Sequence, residues 1–297
     1  MISPLPKPHP IVPRLIHLPK SQRLPKRASM TIALGMLCGG GAIIAADSKS
    51  INSGSGMTAR GRKLAVVDTK QIAFAIAESS EDANATETLV RKISARLGRQ
   101  KTSDWSHVES DITDAMSEWD SAYTQKPPDT QLVAGITMPG SGTRLYFCQP
   151  PNTIVPKPEG YVSAGWGAEV ADPIFRTLFN PVPESRNAQV ILREVAYLMY
   201  RTKTIPGNAY AGGVTDAAFL DTREASATWI KGTDLRDAEN ASFQLDLILN
   251  AAATAALSQP DQWLENNAAS IGPLILQCQR LRETVFHDIR GRILGQS

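Results

Sequence analysis

The stretch that most constrains this chain is Met30-Thr31-Ile32-Ala33-Leu34-Gly35-Met36-Leu37-Cys38-Gly39-Gly40-Gly41-Ala42-Ile43-Ile44-Ala45-Ala46-Asp47-Ser48-Lys49. Two apolar runs, each the length of a strand, flank three consecutive glycines. Glycine takes the positive backbone angles of a tight hairpin turn at no steric cost, so the stretch reads as an antiparallel β-hairpin. At that level it is only a hairpin.

Residues 50–60 are rich in Gly and Ser and read as a loop. Lys63–Val67, an Asp68-Thr69 turn and Gln71–Ala77 read as a second hairpin. Ser80-Glu81-Asp82 is an N-cap with acids at the positive end of a helix dipole. Ala85, Leu89, Ile93 and Leu97 then recur every fourth residue, and Gly98 stops the helix. A second helix spans about Ser103 to Tyr123, with Trp105, Val108, Ile112, Met116 and Trp119 on one face as core; Lys126-Pro127-Pro128 ends it.

Short β-like runs follow at Leu132–Thr137, Thr143–Cys148 and Tyr161–Ala164, punctuated by Pro139-Gly140 and Pro150-Pro151. Gly165-Trp166-Gly167-Ala168-Glu169 leads into a helix, and Ser185 is placed to cap another that runs to about Arg201. Val214–Leu220 and Ala225–Lys231 read as a strand pair, and Asp234–Leu257 as a helix. Asp261–Leu294 also reads as helical, with Gly272-Pro273 dividing it. Two stacked antiparallel sheets with helices on both outer faces would bury this pattern, because each helix offers one apolar stripe and each sheet needs two covers. The fold class is α+β, with residues 30–297 forming one domain.

Charge is uneven along the 297 residues. Lys7, Arg14, Lys20, Arg23, Lys26 and Arg27 lie in residues 1–29, which hold none of the 29 acids, so the slight net positive charge of the whole belongs to this segment. Pro4, Pro6, Pro8, Pro10, Pro13, Pro19 and Pro25 interrupt it, which reads as a disordered extension and denies it the continuous apolar or amphipathic helix of a targeting signal. Polycations attract phosphate, yet six charges with no interleaved aromatic do not make a nucleic-acid site. Cys38, Cys148 and Cys278 are odd in number and far apart, so neither a disulfide framework nor a metal site is expected, and a reducing, cytoplasmic location is. No apolar run approaches the ~20 residues of a membrane span. His9, His17, His107 and His287 form no grouping with Ser or Asp. The glycines at 39–41 and 165–167 lack the Lys-Ser/Thr of a phosphate loop and read as turns.

A threonine directly after a methionine opens the first strand, Ala45-Ala46-Asp47 closes the second, and Lys63 starts the third. In that order and spacing the chain resembles the N-terminal nucleophile hydrolases of the proteasome β-subunit type, strongly over the two hairpins and more weakly to about residue 257. Counted from Thr31, Asp47 and Lys63 fall at the family's separations without a gap. The resemblance implies a four-layer αββα sandwich and a threonine peptidase without metal or organic cofactor. Thr31 would be the nucleophile and its freed α-amine the base. Lys63 would place positive charge beside that amine, Asp47 would hold Lys63, and backbone N–H groups near Ala77 would form the oxyanion hole. It further implies a homo-oligomeric ring that encloses the nucleophile, with peptide or unfolded-protein substrates often fed by an ATP-driven unfoldase; nucleic acid and membrane are not expected as partners on the charge and hydropathy grounds above.

Several positions depart from the family pattern. Where the family has a serine after a Gly-Ser-Gly run, this chain has Ala168 after Gly165-Trp166-Gly167. Asn208 and Ala211 stand before Gly212-Gly213 in place of an aspartate and a serine, and Ala77 replaces a glycine. Ala168 and Ala211 cannot hydrogen-bond through their side chains, whereas Asn208 can. Two alternatives therefore stand beside the peptidase: a non-catalytic subunit of such a ring, and an amidase of the same fold acting on small amides. The peptidase also requires that nothing precede Thr31. A start at Met30 followed by methionine removal would meet that need and make residues 1–29 the product of a mis-assigned start; the alternative is that they are a propeptide.

Overall fold

Hydrophobic runs of five to nine residues with small side chains build most of the sheet structure in the computed structural model, which describes residues 31–51, 58–69, 71–80, 82–99, 104–179, 186–204 and 212–258. The strands in chain order are β1 (Ala33–Cys38), β2 (Gly41–Asp47), β3 (Lys49–Ile51), β4 (Thr58–Arg60), β5 (Leu64–Asp68) and β6 (Ala73–Ser80). After helices α1 (Ala83–Leu97) and α2 (Trp105–Ser121) come β7 (Thr130–Met138), β8 (Gly142–Gln149), β9 (Thr153–Pro156) and β10 (Tyr161–Ala164). Helices α3 (Ala168–Leu178) and α4 (Ala188–Thr204), strands β11 (Thr215–Asp221) and β12 (Ser226–Ile230), and helix α5 (Gly232–Ser258) complete the described chain.

Two five-stranded antiparallel sheets result, ordered β10-β1-β2-β11-β12 and β5-β6-β7-β8-β9, with β3 and β4 as a separate ribbon. In the central hairpin Ala33 opposes Ala46 and Cys38 opposes Gly41. The positive φ of this turn falls on Gly41 (φ +153°), not on Gly39 or Gly40. A Cβ on Gly41 would stand 1.7 Å from the carbonyl oxygen of Leu220, so the third glycine is needed for β2 to lie against β11 as much as for the turn itself.

The sheets face each other across a layer dominated by small side chains, among them Ala33, Ala42, Ala46, Ala75, Ala77 and Ala218, with Ile44, Val133 and Leu220 between them. Alanine on both inner faces lets the sheets approach closely. The opposite face of the first sheet buries Ile32, Leu34, Met36 and Ile43 against Phe175 of α3 and Ile191, Val195 and Met199 of α4. On the second sheet, Phe74, Ile76 and Tyr146 meet Leu89 and Ile93 of α1 and Val108, Ile112, Met116 and Trp119 of α2. Four layers, helix–sheet–sheet–helix, follow directly, as the paired apolar stripes require.

Local chemistry accounts for the helix ends. Asp82 Oδ1 accepts from the Ala85 N–H at 3.2 Å, and Gly98 follows the last turn of α1. Asp104 caps α2 through the Ser106 N–H at 3.0 Å. The predicted stripe on α2 is buried apart from the half-buried Trp105, and the Trp119 indole donates to the Ala85 carbonyl at 2.9 Å, tying α2 to the first turn of α1. α4 is capped by Asn187, whose Oδ1 accepts from the Val190 N–H at 3.0 Å; Ser185, expected in that role, lies outside the described residues.

Three strands were not expected. Part of the predicted 50–60 loop pairs as β3 and β4, and Thr-Ile-Val-Pro forms β9 at the edge of the second sheet, where Pro156 leaves no ladder bond unmade. The expected extension at 1–29 and the helices expected over 261–294 lie outside the described residues.

Candidate active site

Thr31 lies two residues before the start of β1. By strand alternation it shares a face with Ala33, the face turned towards the second sheet. It is buried, and its Oγ1 donates a hydrogen bond to Ser79 Oγ at 2.5 Å. Its carbonyl accepts from the Gly167 N–H at 3.2 Å, so the turn entering α3 sits directly on the nucleophile candidate.

Asp47, at the end of β2, is 1 % exposed. Its backbone N–H closes the hairpin on the Ile32 carbonyl at 3.2 Å. Its carboxylate takes three donors: Oδ1 accepts from the Ile32 N–H at 3.3 Å and from Lys63 Nζ at 3.2 Å, and Oδ2 accepts from the Gly212 N–H at 2.9 Å. Lys63, itself 4 % exposed, also donates to the Lys49 carbonyl. One carboxylate oxygen thus joins the lysine to the peptide group that follows Thr31.

Removing both charges from water has a consequence for each. Burial pushes the Asp47 carboxyl up from its ordinary value, against the pull of Lys63 and the N–H donors. Burial likewise lowers Lys63, and Asp47 opposes that shift. The Lys63 ammonium therefore gives up its proton more readily than an exposed lysine would, and Asp47 ties it to the Ile32 N–H, one residue from Thr31.

Ala77 is placed differently. It is fully buried within β6, opposite Leu64 on one side and Val133 on the other. The Glu78 N–H points to the Lys63 carbonyl at 2.8 Å, and antiparallel alternation turns the Ala77 N–H the other way, into the ladder with β7. The β6 residue that meets Thr31 is Ser79, two positions further along on the same face. Counting from Lys63 could not reveal this, because it does not show where β6 ends.

Ala168 opens α3 and contributes its N–H to the Gly165 carbonyl at 3.0 Å. Asn208 and Ala211 lie outside the described residues. Gly212, the next residue in the chain, does reach the Asp47 carboxylate.

Three further residues belong to this neighbourhood: Ser79, Gln131 and Glu78. Gln131 Oε1 accepts from the Gly165 N–H at 2.9 Å. Glu78, 5 % exposed, has its carboxyl pushed up to about 8 by burial even though Lys63 pulls it down. A polar residue following Ala75 and Ala77 on the inward-facing side of β6 was the available signal for Ser79. Among the described residues no cluster of His, Cys, Asp and Glu could hold a metal ion, Cys38 and Cys148 are buried free thiols, and no helix is long and apolar enough to cross a membrane.

With this geometry in place, the model of the family described as "Proteasome subunit" matches residues 29–220. The chain belongs to the proteasome subunit family. Within it, solved structures of Anbu proteins share the fold. The Gly-1 mutant of Anbu from Hyphomicrobium sp. strain MC1 superposes with a TM-score of 0.62 at 17% identity, covering 76% of this chain and 99% of that one. Anbu (ancestral beta-subunit) from Yersinia bercovieri gives 0.63 at 14% identity, covering 74% and 97%. The helical assembly of the Anbu complex from Pseudomonas aeruginosa gives 0.61 at 15% identity, covering 76% and 96%. At such identities the likeness is one of fold. No curated protein matches this proteasome-family chain by sequence.

Proposed function

We propose that the chain is a threonine peptidase of the N-terminal nucleophile type. The observation that carries this reading is the buried Asp47–Lys63 pair, anchored through the Ile32 N–H one residue from Thr31. Once the Met30–Thr31 bond is cut, the Thr31 amine, with an ordinary pKa near 8, accepts the hydroxyl proton while Oγ1 attacks a peptide carbonyl. The tetrahedral oxyanion collapses to an ester on Thr31 as the amine leaving group takes the proton. Water, deprotonated by the same amine, then attacks the ester, and the amine returns that proton to the departing Thr31 Oγ1 as the acid is released. Lys63 keeps positive charge beside the reacting atoms, which favours the neutral amine and the developing oxyanion, and Asp47 keeps Lys63 in place.

In this reading the substrate is an extended peptide or unfolded protein, and copies of the chain enclose the site in a ring or a helical array, with an ATP-driven unfoldase as feeder. The helical assembly of the Pseudomonas aeruginosa Anbu complex supports self-association. Two buried free thiols support a reducing compartment. A second reading, a non-catalytic subunit of the same assembly, draws on Ala168, which brings no hydroxyl to the turn that sits on Thr31.

A peptide epoxyketone or vinyl sulfone separates the two. The expected result with the natively expressed protein is an intact mass beginning at Thr31 and a covalent adduct that Thr31→Ala abolishes. A chain that keeps Met30, or no adduct between about pH 6 and 9, a window bracketing the amine pKa, overturns the peptidase and favours the structural subunit. Turnover of small amides without peptide cleavage would instead make it an amidase.

A further inference from the structure

We infer that Ser79 is the positioning residue of the Thr31 nucleophile, a role that rests on the peptidase reading above. Threonine has staggered side-chain rotamers, and only one places the hydroxyl where it can attack. Ser79 Oγ accepts the Thr31 Oγ1 hydrogen bond at 2.5 Å and is itself fully buried, so the acceptor cannot drift and water does not compete for it.

The position of Ser79 is enforced from two sides. Across the ladder it pairs with Gln131, whose side-chain carbonyl holds the Gly165 N–H at 2.9 Å. Gly165 in turn presses on the Thr31–Ser79 contact: at φ +85°, a Cβ there would lie 2.2 Å from Ser79 Oγ and 2.3 Å from the Thr31 carbonyl oxygen. That carbonyl is held by Gly167. Thr31 is thus fixed at its hydroxyl by β6 and at its carbonyl by the turn before α3, and Gln131 locks those two elements together. A serine that only filled space would need neither the hydroxyl contact nor the bare α-carbon above it.

The test compares the wild-type chain with Ser79→Ala, Ser79→Thr and Thr31→Ala, all with Thr31 exposed by methionine removal. It reads kcat and KM on a fluorogenic peptide, the rate of epoxyketone inactivation, and thermal stability. Losing one hydrogen bond and freeing one three-well rotor should lower kcat and the inactivation rate about three- to tenfold in Ser79→Ala, with KM unchanged. Ser79→Thr, which keeps the hydroxyl, should recover most of the loss. A crystal structure of Ser79→Ala should show Thr31 Oγ1 spread over more than one rotamer. Unchanged kcat, a loss that follows thermal stability alone, or a single unchanged Thr31 rotamer overturns the inference. If wild type reacts and Ser79→Ala reacts equally well, only the Ser79 role falls. If wild type forms no Thr31-dependent adduct, the peptidase reading falls and takes this role with it.

Discussion

Glu78→Gln should remove a pH dependence of stability that a single carboxyl imposes on the fold. Glu78 lies in β6 beside Lys63, 5 % exposed, and burial raises its carboxyl from an ordinary 4.5 to about 8; Glu87 and Asp82 add to the rise and Lys63 reduces it. The folded chain therefore keeps a proton that the unfolded chain releases above pH 4.5. Because the folded pKa is the higher one, the stabilisation is complete below about 4.5 and is lost as pH climbs to about 8. Each unit of that window costs 1.36 kcal/mol for one proton, so the wild type should lose about 4 kcal/mol between pH 5 and 8 through this group alone. Glutamine has nearly the same shape and no charge to bury. Urea titrations of both proteins across this range, at one protein concentration, give the difference in unfolding free energy. Contributions from Lys63, Asp47 and the surface groups appear in both chains and largely cancel. The difference should change with a slope near 1.4 kcal/mol per pH unit, Glu78→Gln gaining on wild type as pH rises. Parallel curves, or a difference of the opposite sign, would refute the reasoning that burial keeps Glu78 protonated.

Asp47→Asn should destabilise the chain by about 3–5 kcal/mol in denaturant titrations, because the Lys63 ammonium would stay buried without its counter-charge. Adding Lys63→Met to Asp47→Asn should return part of that loss, and strict additivity of the two changes would argue against a direct pairing. Gly135→Ala should cost about 1–3 kcal/mol and lower Tm, since its Cβ would stand 2.6 Å from Ile44 Cδ1 and 2.7 Å from Leu220 Cδ1 and so push the sheets apart. An unchanged Tm would mean that the alanine-lined layer between the sheets has slack.

Local pattern carried the elements whose stability is local. The 15-residue helix α1 announces itself through Leu89, Ile93 and Leu97 at i, i+4 spacing between an acidic cap and Gly98, and the hairpin of β1 and β2 through two apolar runs around glycines. Stacked sheets under outer helices suited that pattern, but periodicity alone carried only a mixed α+β domain, and the four-layer arrangement came with the family resemblance. Asp47 and Lys63 stood out through the family resemblance, by their spacing from Thr31; taken singly they read as a turn residue and an edge-strand charge.

Tertiary structure decided what meets what. Ser79 touches Thr31 across 48 residues of chain, and Gly212 reaches Asp47 across 165. The side of β6 to which the Ala77 N–H points depends on the register with β5, and the burial of Glu78 depends on helices packing over the second sheet. Spacing along a chain reports periodicity within one strand or helix. The distance between two sheets depends on the volumes of all the side chains that separate them, and no local window of sequence contains that sum.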